Sequence, residues 1–251
     1  MTGLRREEVA MLAGISVEYY TQLERGHVKG VSEDVLEAVI RALQLDEIER
    51  THLFDLTRAA KQLPNRRRAT PVQVRPPVQR VLDTITDAAA FIRNPRADFL
   101  TGNQLAYALY SDAFTTLERP VSLPRFVFRD PRARAFYRRW EDLAAATVGS
   151  LRAEAARDPY DHELTQLIGE LSMRSDDFRR MWAEHDVTQY RNGTQYFHHE
   201  LVGDLELSYE SFNLAGDVAQ TLVVYTAEPG SPSQAALDRL AHRTIERTEA
   251  L

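Results

Sequence analysis

The chain has 251 residues, of which 43% are hydrophobic and 27% charged, and it contains no cysteine. This composition is typical of a globular protein, and the length suggests one large or two modest domains, of which we expect two. The absence of cysteine excludes disulfides, thiolate zinc sites and cysteine nucleophiles. No window is apolar enough to span a bilayer, and the first residues lack the apolar stretch of a secretory signal, so we expect a cytoplasmic protein.

The net charge of -6 is unevenly distributed along the chain. Residues 61–80 carry six basic residues and no acidic one, whereas the segments before and after them are net acidic. Any affinity for phosphate groups must therefore come from local patches and not from the global charge.

The stretch "LRREEVAMLAGISVEYYTQLERG", residues 4–26, has the pattern of a helix-turn-helix. Such a unit needs a small residue where two helices cross, a glycine in the turn and apolar residues toward the interior. Ala10 falls at the crossing, Gly14 in the turn, and Ser16 at the N-cap of the second helix. The residues predicted to face inward are Val9, Ala13, Ile15, Tyr20 and Leu23.

The opposite face of the second helix would then meet the major groove of DNA. Gln22 can pair with adenine, Glu18 can accept from cytosine N4, and Val17 or Thr21 can contact a thymine methyl group. Arg5 and Arg6 stand where phosphate contacts are usual. The predicted DNA-binding set is Arg5, Arg6, Ser16, Val17, Glu18, Tyr19, Thr21, Gln22 and Arg25. The alternative is a helical hairpin that only packs, because helix, glycine turn and helix occur in many proteins.

Two more helices complete a small α-helical domain over residues 1–60. Ser32 is a plausible N-cap for the first of them, whose apolar stripe runs from Val35 to Leu43. Asp46 can cap the second, in which Ile48, Leu53 and Leu56 can pack inward. Residues 61–78, "KQLPNRRRATPVQVRPPV", combine prolines with basic residues and predict an extended linker. Its "RRR" is either a solvated spacer or a phosphate contact beside the helix-turn-helix, the reading head of the protein.

Residues 79–251 mix helical and strand patterns, so the second domain is predicted to be α+β. A long helix is expected after Asp130 and Pro131, running through "RARAFYRRWEDLAAATVGSLRAEAAR", and two more follow, the second starting at Ser175. The segments "DLELSYE" and "QTLVVYT" predict strands, and Asn192-Gly193 predicts a type I′ hairpin turn.

The motifs in this chain resemble those of a known family. "GLRREEVAMLAGISVEYYTQLERG" is similar to the Xre, or lambda-repressor-like, helix-turn-helix of actinobacterial MmyB-like transcription regulators, and the likeness resumes in "FRDPRARAFYRRWEDLA", "GELSMRSDDFRRMWAEHDV", "LVGDLELSYESF" and "QTLVVYTAEPGSPS". The resemblance implies a C-terminal PAS-like ligand-binding domain, a curved sheet flanked by helices around an apolar pocket, with fatty acids as the suggested ligands. Family members carry an additional helix before Gly3, so the first helix of the module is expected to be missing here.

The second domain is dense in aromatic residues, most of which must simply be core. A minority could line a ligand cavity, with polar anchors at its mouth. The candidates for ligand binding are Asn103, Phe126, Phe128, Arg134, Trp140, Arg174, Trp182, His185, His199 and Tyr209. The adjacent His198 and His199 would point to opposite faces of a strand, so a shared metal is not expected, and local hydrogen bonding is the favoured role.

The sequence thus favours a transcription factor, a repressor rather than an activator, that senses a small apolar molecule without a cofactor and binds an operator as a homodimer. We expect ligand occupancy to alter the spacing of two reading heads through the linker at residues 61–78. One alternative is a sensor or protein-interaction module without DNA-binding activity, favoured if the first helix is truly missing. A hydrolase of acyl substrates, favoured if the pocket holds converging titratable groups, is the weakest alternative, since no HExxH, phosphate loop or nucleophile elbow is present.

Overall fold

The computed structural model describes residues 4–27, 30–61, 73–114, 120–184, 192–215 and 220–249. The N-terminal part consists of four helices, α1 (Arg6–Ala13), α2 (Val17–Glu24), α3 (Glu33–Leu43) and α4 (Glu47–Lys61). None of the helices in the described ranges is long and apolar enough to cross a membrane.

The predicted helix-turn-helix is confirmed in its local geometry. Gly14 ends α1 with a φ of 67°, the left-handed conformation that glycine adopts without steric cost. Ser16 caps α2 by accepting a hydrogen bond from the Tyr19 amide at 3.1 Å. Ala10 is completely buried at the crossing, and Tyr20 turns its ring into the same core.

The other two caps of this domain are also as predicted. Ser32 accepts from the Val35 amide at 3.4 Å, and Asp46 accepts from the Glu49 amide at 2.8 Å. Leu53 packs inward against α3, as expected, whereas Leu56 is exposed, so its predicted burial is wrong. The side chain of Ile48 lies outside what the structure describes.

The predicted linker is shorter than 61–78. Lys61 still belongs to α4, and Pro76–Val78 form the first turn of helix α5 (Pro76–Asp83). The prolines favour this start, because their fixed φ suits the first helical turn, where the missing N–H has no helical partner anyway. Val78 then packs toward the sheet beside Leu82. Residues 62–72, which include "RRR", lie outside the described residues.

The second part of the chain is built on a six-stranded antiparallel sheet with the order β3-β2-β1-β6-β5-β4. The strands are β1 (Ala89–Arg93), β2 (Asp98–Gly102), β3 (Val121–Ser122), β4 (Asn192–His199), β5 (Gly203–Asn213) and β6 (Thr221–Thr226). The predicted strands in "DLELSYE" and "QTLVVYT" are confirmed, with Leu205 and Leu207 buried and Glu206 exposed between them.

Helices surround this sheet. Those that follow α5 are α6 (Gln104–Leu109), α7 (Ser111–Phe114), α8 (Leu123–Arg129), α9 (Arg132–Phe136), α10 (Trp140–Arg157), α11 (His162–Arg174), α12 (Asp176–Ala183) and α13 (Pro232–Glu249). The architecture is therefore an α-helical N-terminal domain followed by an α+β domain, as the sequence predicts. Its main core joins the sheet to α6, α8, α10, α11 and α13.

The predicted long helix after Asp130 is in fact two helices. α9 ends at Phe136, and α10 begins at Trp140. Between them Tyr137 forms a β-bridge with Phe197 of β4, and the Arg138 amide donates to the Tyr196 carbonyl at 3.0 Å. The helical periodicity was misleading because this break is caused by a strand that lies sixty residues further along the chain.

The predicted turn at Asn192-Gly193 is also wrong. Both residues lie in β4, where Asn192 pairs with Glu210 and Gly193 with Tyr209. The glycine serves a close approach instead of a turn, since a Cβ atom there would lie 3.3 Å from Cε1 of the Tyr209 ring. β4 is connected to β5 through residues 200–202.

Candidate DNA-binding helix and ligand cavity

The solvent-facing side of α2 has the predicted composition. Val17, Glu18, Tyr19, Gln22 and Arg25 are exposed, while Tyr20 is buried. The Thr21 hydroxyl donates to the Val17 carbonyl at 2.8 Å. Its polar group is therefore already engaged, and the methyl group is the part of Thr21 that could contact a base.

Other predicted DNA-binding residues also have local structural contacts, including Gln22, whose Oε1 lies 2.5 Å from Nδ1 of His27. Arg5 is the exposed N-cap of α1, and its amide donates to Glu8 at 2.6 Å. Arg6 forms an ion pair with Glu24 at the end of α2. Ser16 is the N-cap of α2, and this role explains a serine at this position even if Ser16 contacts no base. A phosphate bound by Arg6 would have to compete with Glu24.

A cavity of about 400 Å³ lies between the sheet and α10, within the range of small-molecule sites. One wall comes from the sheet, where alternate residues of each strand share a face. Phe91 and Arg93 of β1, Tyr209 of β5, and Val223 and Tyr225 of β6 line it. The opposite wall includes Leu143, Ala146, Thr147, Ser150 and Glu154 of α10.

Arg93 is the distinctive residue of this cavity. It is half-buried, and it lines the cavity at a point where the pairing register of β1 with β2 shifts. Burial lowers the pKa of its guanidinium, although nearby phenol groups and Glu154 oppose that effect. No described residue forms a hydrogen bond or salt bridge with this side chain. A desolvated cation without a partner is costly, so Arg93 is suited to pair with an anionic group of a ligand.

A cluster of tyrosines surrounds this cation. The Tyr110 hydroxyl donates to that of Tyr225 at 3.3 Å, and the Tyr209 ring centroid lies 5.7 Å from that of Tyr225. Burial raises the pKa of Tyr110, Tyr137 and Tyr225, so all three stay neutral at physiological pH. Neutral hydroxyls can both donate and accept, and the rings provide apolar surface beside the charge.

The carboxylate of Glu154 acts electrostatically on Arg93 and also lines the cavity. Burial raises the pKa of Glu154, and an ion pair with Arg157 at 2.5 Å partly offsets that rise. Glu154 is thus paired with Arg157 and forms no ion pair with Arg93.

Of the predicted ligand-binding residues that the structure describes, Tyr209 lines the cavity and the others do not. Asn103 is buried as the cap of α6, where it also donates to the Ala88 carbonyl at 2.7 Å. His199 is buried, with its Nε2 3.1 Å from the Ala108 carbonyl. His185 lies outside the described residues.

The remaining members of that set belong to the core or the surface. Phe126 is fully buried, and Phe128 packs edge-on against Trp140 with centroids 5.9 Å apart. Arg134 lies over the Trp140 ring at 3.7 Å and pairs with Asp177. Trp182 stacks on Phe178 under Arg152, and Arg174 is exposed at the end of α11. The aromatic residues selected from the sequence as ligand contacts thus belong to the core, with the exception of Tyr209.

Sequence reasoning missed Arg93, Glu154 and the tyrosines Tyr110 and Tyr225. A signal for Arg93 was present, because it follows the buried run "AAAFI" at the position that shares its strand face with Phe91. A charged residue on the inward face of a buried strand is unusual enough to indicate a site. No group of acidic or histidine side chains that could hold a metal ion occurs among the described residues.

Family models match two parts of this chain. Residues 2–53 match a model described as a helix-turn-helix domain, and residues 74–240 match one described as the MmyB-like transcription regulator ligand binding domain. No curated protein matches the chain.

A helix-turn-helix joined to a domain with a ligand cavity defines a ligand-responsive transcription regulator. The match covers the C-terminal domain from its first helix to α13. The chain belongs to the MmyB-like transcription regulator family.

Proposed function

We propose that the protein is a repressor whose DNA binding responds to an amphipathic carboxylic acid, such as a fatty acid, held in the cavity between the sheet and α10. The observation that carries the choice of ligand is Arg93, a desolvated cation with no partner among the described residues. A carboxylate would pair with it through charge-assisted hydrogen bonds.

The rest of the cavity supports an amphipathic ligand over a purely polar one. Phe91, Leu143 and Val223 offer apolar surface for a hydrocarbon chain, and Tyr209 and Tyr225 offer both ring surface and hydroxyl groups. The antiparallel sheet with helices around a cavity supports the PAS-like description of this domain. The protein then acts by binding and not by turnover, without a cofactor, in the cytoplasm.

The DNA-binding part of the proposal uses the exposed face of α2. Gln22 and Arg25 are exposed there and have side chains suited to base edges and phosphates. One such helix reads few base pairs, so a homodimer on two half-sites is the form proposed to bind the operator.

The test combines DNA and ligand variants of the full chain. Binding to DNA from upstream of its own coding sequence is measured at fixed salt, with and without dodecanoate. Gln22→Ala with Arg25→Ala is expected to lower the affinity for DNA by about tenfold or more, as expected for losing one base contact and one phosphate contact.

Arg93→Gln should leave DNA binding intact and weaken dodecanoate binding by about tenfold or more, because it removes a charge-assisted pair. The matched control is Arg174→Gln, which removes an exposed arginine that does not line the cavity. Dodecanol, which lacks the carboxylate, should bind wild type and Arg93→Gln alike. Equal dodecanoate affinity in wild type and Arg93→Gln would contradict the proposed ligand site.

A further inference from the structure

Helix α4 belongs to the core of the N-terminal domain. Leu53 and Phe54 pack against the cluster around Val31 and Leu36. Arg50 donates to Oε1 of Glu37 on α3 at 2.6 and 3.1 Å. α4 therefore cannot shift without moving α3 or breaking this ion pair.

The same helix also packs against α10 of the second domain. Thr57 is buried, and its hydroxyl donates within α4 to the Leu53 carbonyl at 2.8 Å. His52 is half-buried, and its Nδ1 has no hydrogen-bond partner among the described residues. Burial lowers the pKa of His52, Arg152 of α10 lowers it further, and Asp55 opposes both effects. His52 is thus uncharged in this contact at neutral pH.

Two residues of α4 line the ligand cavity itself. Thr51 and Asp55 are four residues apart, so they lie on one face of the helix, one turn from each other. Thr51 is exposed and Asp55 is half-buried, which places α4 at the rim of the cavity. Thr147 and Ser150 of α10 line the same space.

We propose that Thr51 and Asp55 are part of the ligand-binding site, so that a ligand in the cavity contacts the DNA-binding domain directly. The inference rests on the proposed function, because it needs a ligand in this cavity. Neither matched range includes Asp55, since the family models end at residue 53 and resume at residue 74.

Direct contact gives a physical route for regulation. A ligand changes DNA affinity only if it binds two conformations unequally, and the effect is reciprocal. A ligand that contacts α4 favours the positions of α4 that fit it, and the Arg50–Glu37 ion pair carries any shift to α3. This route runs through a packed contact between helices and does not depend on the stiffness of the linker.

The test measures dodecanoate binding to the full chain by calorimetry. Thr51→Trp places an indole at the rim and is expected to change the dissociation constant by about fivefold or more. The matched control is Leu56→Trp, which adds the same indole to an exposed position of α4 that does not line the cavity. Asp55→Asn keeps the side-chain volume and removes a negative charge, so it should tighten dodecanoate binding by about twofold or more.

The outcomes separate this inference from the proposed function. If Thr51→Trp and Asp55→Asn both bind dodecanoate like wild type while Arg93→Gln does not, the role of α4 is wrong and the Arg93 site stands. If wild type does not bind dodecanoate, the proposed ligand class is overturned and the role of α4 falls with it. Altered affinity in both α4 variants, with Leu56→Trp unchanged, supports direct contact.

Discussion

At the scale of single residues, the charges in the cavity are the most informative feature. Arg93 could have been predicted from its position on a buried strand, but its lack of a partner could not. The carboxylate that acts on Arg93, that of Glu154, forms its ion pair with Arg157 at 2.5 Å instead. The Glu154–Arg157 pair is a local contact between residues three apart on α10, whereas the presence of Glu154 and Arg93 in the same cavity depends on tertiary packing.

Glu154 gives a prediction about pH and stability. Its raised pKa means that the folded state binds the proton more tightly than the unfolded state, so the ionised side chain costs stability at neutral pH. Glu154→Gln should therefore raise the Tm at pH 7 by about 1–4 °C, which corresponds to roughly 1 kcal/mol or less. The difference from wild type should shrink as the pH falls through the raised pKa.

Scanning calorimetry of wild type and Glu154→Gln between about pH 5 and 8 would measure how this difference in Tm depends on pH. Glu141→Gln on the same helix is the control, because Glu141 is exposed. A lower Tm for Glu154→Gln at pH 7 would show that the ion pair with Arg157 outweighs the cost of burial.

At the scale of elements, the sequence predicted the serine caps but not the features that depend on pairing with a distant strand. The serine caps of α2 and α3 were predicted, as was the start of α12 at Ser175, because a cap is a contact within three residues. The break between α9 and α10 and the strand at Asn192-Gly193 were missed. Both depend on pairing with β4 or β5, which no local pattern encodes.

Replacing a glycine by alanine should have opposite effects on stability at two positions, one in β2 and one in α11. A Cβ atom at Gly102 in β2 would lie 2.6 Å from Cζ of Phe99, whose ring is stacked on Phe91 with centroids 4.8 Å apart. Gly102→Ala should therefore destabilise the protein by about 1–3 kcal/mol through overpacking. A Cβ at Gly169 in α11 would meet no atom within 4 Å, so Gly169→Ala should stabilise by up to about 1 kcal/mol.

Urea unfolding followed by circular dichroism measures both changes as shifts of the midpoint at constant slope. If Gly102→Ala unfolded at the wild-type midpoint, the Phe99 ring would have room to move. If Gly169→Ala were destabilising, the added methyl group would have to meet other atoms of the protein in solution, in the space that is open beside α11.

At the scale of the whole molecule, the prediction concerns assembly. A regulator that reads two half-sites must present two α2 helices, so the protein of 28.6 kDa is expected to have about twice that mass on DNA. Light scattering at micromolar concentration, with and without DNA, measures it. A mass of one chain under both conditions would contradict the homodimer.

The two-domain organisation was predictable from the change of pattern along the sequence, but the contact between the domains was not. The apolar stripe of α4 accounted for its packing on α3, and nothing in "DEIERTHLFDL" indicated that Thr51 and Asp55 would border a cavity of the other domain. The apolar periodicity of α4 indicates the face that packs on α3, but it does not indicate the face that contacts the second domain.

The position of α4 has a practical consequence for building chimeric regulators. The simplest way to exchange DNA-binding domains between relatives is to join the chains in the segment between α4 and α5. Such a chimera would contain α4 of the other protein, and α4 supplies part of the rim of the cavity. A junction ahead of Asp46 would keep Thr51 and Asp55 with their own sensor, and the part to be matched would then be the contact that Arg50 makes with Glu37. The unit that can be exchanged therefore ends before α4, one helix earlier than the domain boundary suggests.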